Sequence, residues 1–136
     1  MSYIAKIYLK KMFKKDSFQI DGDYIKITVN NVINPMECES VPEDSPNDHF
    51  EFIDENGNVV AGKGNEKAWE TFKLEVHGKT YDKDNYHDLV GVSLDRGEQY
   101  IVYFPNPGWS SGEEHALTVK LYQDRPIEFT IKRIIQ

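Results

Sequence analysis

The chain has 136 residues, the usual size of one domain, with hydrophobic residues at 39% and aromatics at 12%. That composition excludes wholesale disorder, which requires few aromatic side chains. A formal net charge of -7 makes nucleic acid a poor partner, because that binding needs clustered Lys and Arg.

Taken in order, Tyr3, Ala5, Ile7 and Leu9 alternate with Ile4, Lys6 and Tyr8, and the spacing predicts a strand over 3–9. Ile4, Tyr8 and Met12 also fall at helical spacing, which makes a short helix the competing reading. Lys10 to Ser17 reads as a basic link ending in Phe18-Gln19-Ile20. Asp21-Gly22 signals a turn. Behind it, Ile25, Ile27 and Val29 alternate with Tyr24, Lys26 and Thr28, which predicts a strand with one apolar face. Residues 34–48 hold Pro35, Pro42 and Pro46 and show no period, so they read as an irregular acidic excursion.

His49 to Asp54 predicts a short strand with Phe50 and Phe52 inward. Asn56-Gly57 then closes a hairpin onto Val59-Val60-Ala61. Trp69 to Val76 reads as a longer strand, although Trp69 and Thr71 share its outer parity. His77 to Asp88 is polar and turn-rich. Val90, Val92 and Leu94 predict another strand. Gln99 to Phe104 and a strand carrying Leu117, Val119 and Leu121 flank the loop Pro105–Gly112. Ile127, Phe129 and Ile131 lie on the last strand, with Pro126 at its start. The expected fold is therefore all-β, a two-sheet antiparallel β-sandwich or jelly roll of about eight or nine strands, in a single domain over 1–136.

Cys38 is the only cysteine. It allows no internal disulfide, and its acidic neighbours would raise its pKa and blunt a nucleophilic role. No long apolar run marks a signal peptide or a membrane-spanning helix, so a cytoplasmic setting is expected.

Motif chemistry is sparse. Asp54-Glu55-Asn56-Gly57-Asn58 lacks the ligand spacing of an EF-hand loop and reads as a tight turn. Asp21, Asp23, Asp82, Asp84 and Asp88 would offer calcium a hard oxygen shell if the end loops brought them together. The four histidines stand far apart in sequence, so a zinc or iron site would need distant strands, with His77 and His87 the best pair. Ser110 and Ser111 lie near His115 but lack the nucleophile-elbow spacing.

The remaining candidate is aromatic. Trp109 sits in a Pro/Gly loop, outside any apolar face. It either folds back as the loop's anchor in the core or presents its indole to a partner. The second alternative is our expectation. It makes the chain a non-enzymatic domain that recognises a macromolecular partner, a protein, through end loops. Trp109 and Asn106 would form the contact, with Tyr81 and Tyr86 at the same end and Glu43 and Asp44 supplying acidic steering. Calcium-assisted binding of carbohydrate or of a membrane surface is the second reading. A small metalloenzyme is the third, and the architecture itself selects none of them.

Overall fold

A computed structural model describes residues 16–30, 36–38, 41, 46–122 and 127–136. In chain order the strands are β1 (Asp16–Asp21), β2 (Tyr24–Val29), β3 (Met36–Glu37), β4 (Phe50–Asp54), β5 (Val59–Gly62), β6 (Lys73–Val76), β7 (Lys79–Tyr81), β8 (Ser93–Leu94), β9 (Tyr100–Pro105), β10 (Glu114–Leu121) and β11 (Ile127–Ile134). One helical turn, α1 (Glu66–Trp69), and 3-10 turns at Pro46–His49 and Tyr86–Leu89 complete the described elements.

The pairing is antiparallel throughout. One sheet has five strands in the order β1-β2-β9-β6-β7, and the second has four in the order β11-β10-β4-β5. A two-stranded pair, β3 and β8, stands beside them. This is the expected two-sheet sandwich, open and not closed into a barrel. Period-2 alternation explains it. Ile25, Ile27 and Val29 are buried on β2 while the residues between them are half-buried. Leu117, Val119 and Leu121 do the same on β10.

The two inner faces meet in one apolar cluster. At its centre Phe50 lies 5.3 Å from Phe52 and 5.0 Å from Phe72, ring centre to ring centre, and Phe52 lies 5.5 Å from Phe104. Burying each such ring stabilises the fold by about 2–3 kcal/mol, and each aromatic pair adds about 0.5–1.5 kcal/mol.

The sandwich is closed differently on its two sides. Beyond β11 the chain leaves β10 and pairs with β1: Gln136 N donates to Phe18 O and Ile20 N to Gln136 O, both at 2.9 Å. On the other side α1 packs Ala68 inward beside β5. Asn65 caps that turn, its Oδ1 accepting from Ala68 N at 3.0 Å and its Nδ2 donating to Val59 O at 2.9 Å.

Three local expectations are corrected. The end of the presumed basic link is β1, and only Phe18 among its first residues shows the inward position. The strand expected from Trp69 begins at Lys73, because the Asn65 cap winds residues 66–69 into α1. The strand expected over Val90–Leu94 shrinks to Ser93–Leu94, since Gly91 turns at φ 86° and Val90 is 50% exposed. The expected strand at 3–9, together with Glu43 and Asp44, lies outside the described residues.

Gly62 shows where a side chain is excluded. Its φ is 94°, and a Cβ there would collide with the Phe50 carbonyl oxygen, the same oxygen that accepts from Lys63 N at 2.8 Å. Gly62→Ala is therefore expected to destabilise the protein by at least about 2 kcal/mol in urea denaturation, whereas Gly57→Ala, facing open space, costs less.

Candidate functional site

The β4–β5 turn and the loop after β9 come together at one end of the sandwich. In the turn, Asp54 Oδ1 accepts from Asn56 N and Asn58 N at 2.9 Å, and its Oδ2 accepts from Asn58 Nδ2 at 3.3 Å. The aspartate is thus spent inside its own turn, as the tight-turn reading required. This geometry leaves Glu55 at the tip.

The loop is built around Asn106. Its Oδ1 accepts from Gly108 N at 2.9 Å and Trp109 N at 2.7 Å, and its Nδ2 donates to Trp109 O at 2.9 Å. Its own backbone N–H donates to Asp23 O at 2.9 Å. Gly108, at φ 104°, supplies the left-handed backbone that lets the chain double back.

That reversal sends Trp109 inward. The indole is only 5% exposed. Its ring lies parallel to Phe18, 6.3 Å away at 8°, and meets Phe104 edge-on at 6.0 Å and 89°. It also stacks on His115 at 4.6 Å and 7°. The expectation of an exposed recognition anchor is corrected: Trp109 is a core side chain, because the loop has no other apolar group with which to hold itself down.

His115 occupies the inner-face parity of β10, one step beyond Leu117 at the rim. Its Nδ1 lies 2.5 Å from Glu55 Oε1 and its Nε2 lies 3.0 Å from Glu113 Oε1. Neither nitrogen faces Ser110 or Ser111, so no nucleophile–base pair forms there. Burial pushes the imidazole pKa down, but the hydrogen bonds to Glu113 and Glu55 outweigh it and hold it above the usual 6.5. The hydrogen bond from His115, then that from the Ser110 amide at 2.7 Å, lowers the Glu113 carboxyl.

Beside this group runs an open cleft of about 540 Å³. Val59, Pro105 and Pro107 supply its accessible apolar lining, with the buried Val60 and Ala68 behind, and Asn58, Lys67 and Asn106 stand among its polar lining.

The other expected site residues are placed elsewhere. Tyr81 is 5% exposed and points into the core from β7. Tyr86 packs on Trp69 at 6.0 Å and on His87 at 4.1 Å. Both belong to the β7 edge, whereas Trp109 packs on β1 and β9, so the aromatics do not gather. The aspartates do not converge either. Asp21 and Asp23 sit in the β1–β2 turn and Asp82, Asp84 and Asp88 follow β7, four strand spacings or about 19 Å across the sheet. Asp82 Oδ1 instead accepts from Asp84 N at 2.9 Å, Lys83 pairs with Asp84 at 3.4 Å, and Lys79 reaches Asp88 at 3.9 Å.

His77 is a hairpin residue at φ 54°, held to Ser93 O at 2.5 Å and Glu98 at 3.1 Å. Among the described residues, no three His, Cys, Asp or Glu side chains are grouped so as to hold a metal, and no helix is long and apolar enough to cross a membrane. Compared with protein-family models the chain matches none, and no curated protein is similar to it.

Sequence reasoning missed Glu55, Glu113 and His115 as a group. The available signal was the parity of β10, which puts a titratable residue on the inner face. Trp109→Ala is expected to cost about 3–5 kcal/mol of stability in chemical denaturation, the range for removing a buried aromatic. A loss below about 1 kcal/mol would show that the indole is not part of the core.

Proposed function

We propose that the chain is a non-enzymatic binding domain that takes a protein segment at the end of the sandwich, in the cleft between α1, the β4–β5 turn and the loop 105–113. One observation carries the reading: this loop is braced from within, by the Asn106 hydrogen bonds and the buried Trp109, while Pro107 and Gly108 remain exposed beside an open cleft. A loop already ordered loses little entropy when it binds.

The cleft has the composition of a recognition surface. Accessible apolar surface from Val59, Pro105 and Pro107 lies beside amide and amine groups from Asn58, Asn106 and Lys67. Its volume suits one or two inserted side chains. The net charge of -7 supports a protein over a nucleic acid. Recognition then rests on the cleft and on the exposed part of the loop, with Trp109 acting through the loop it holds.

A displayed peptide library selected against the protein tests this. Amide chemical shifts on adding a selected peptide should change at residues 58–60 and 65–68 and at Asn106 and Gly108. Lys67→Glu or Asn58→Ala should weaken that peptide by about tenfold, or about 1.4 kcal/mol, with folding intact. Shift changes confined to the outer faces of the two sheets would overturn the assignment.

A further inference from the structure

We propose that His115 is a pH-operated latch, which pins the β4–β5 turn to the loop 105–113 while protonated and lets go of Glu55 when neutral. The latch stands whether or not the adjoining cleft binds a peptide. Both nitrogens face carboxylate oxygens, at 2.5 Å and 3.0 Å, and a carboxylate only accepts. A neutral imidazole carries one N–H, so only the imidazolium satisfies both contacts. Losing a proton sets a lone pair against one carboxylate and breaks one arm of the bridge.

The two arms are unequal. Glu113 is also held by Ser110 N at 2.7 Å, and its carbonyl accepts from Ile135 N at 2.8 Å. Glu55 is bound through His115 alone among the described residues, and it belongs to a segment 60 positions away. The arm to Glu55 is therefore the one that gives. The ionisable groups around the ring are Glu55 from the turn, Glu113 from the loop, and Arg133, its register partner on β11. Arg133 Nη1 donates to Lys132 O at 2.8 Å. Asp54, at the base of the turn, has both carboxylate oxygens engaged by Asn56 and Asn58. Trp109, stacked on the ring, favours the cation further.

The balance of burial and carboxylate hydrogen bonds places the transition on the alkaline side of 6.5. The sign follows from the raised folded-state value: the bridge's contribution to stability is complete below 6.5 and is lost as pH rises through the folded-state pKa. Glu113, with its lowered pKa, stays ionised across that interval.

Nuclear magnetic resonance of the full chain tests the latch. The His115 imidazole should titrate with a midpoint above 6.5. The backbone order parameters of residues 55–58 should fall across the same midpoint, with their amide shifts following it. His115→Gln should abolish that pH dependence. Glu55→Gln, an exposed change that leaves the core untouched, should lower the midpoint and keep the test valid if the first variant folds poorly. A midpoint at or below 6.5, or turn residues whose order is unchanged while His115 titrates, would overturn the proposal.

Discussion

The end of the sandwich depends on one buried ring. Trp109 stacks with Phe18 of the five-stranded sheet and with His115 of the four-stranded sheet, and it meets the edge of Phe104. It thereby joins the two layers beside the point where Gln136 pairs with β1. A loop of Pro, Gly, Ser and Asn has almost no apolar surface of its own. Inserting a single indole buries enough area to hold seven irregular residues, from Asn106 to Gly112. Asn106 then satisfies the backbone that the reversal leaves unpaired.

This arrangement changes what the loop can offer. An exposed tryptophan is a contact; a buried one is a support. The exposed residues of the loop inherit its rigidity, and the cleft next to them is bounded by well-braced elements: the Asp54 turn, the Asn65-capped helical turn and the Asn106 reversal. Polar side chains at this end are used mainly on the backbone beside them. The contact of His115 with Glu55 is the exception, since it joins segments 60 positions apart.

Much of the fold was legible because strand alternation is a local signal. Ile25-Ile27-Val29 and Leu117-Val119-Leu121 announced their buried faces, and Asn56-Gly57 announced the β4–β5 hairpin. Short elements were not legible. β1 shows only Phe18 as a fully buried apolar position, α1 is one turn set by the Asn65 cap, and β8 has two residues. The site was harder still. The direction of Trp109 depends on the Asn106 bonds and on Phe18, which lies 91 positions earlier (109 minus 18). The pairing of Glu55 with His115 depends on β4 lying beside β10. Composition marked the loop as special and left its side chain's direction open, because aperiodic segments carry no parity.

Native-state hydrogen exchange at the Gly108 and Trp109 amides reports whether the buried indole anchors the loop. Both N–H groups donate to Asn106 Oδ1 within a loop that the buried indole anchors. With the indole buried, they should exchange only through global unfolding, with the same protection free energy as core amides of β9. Exchange at the rate of an open surface loop, while β9 stays protected, would contradict it.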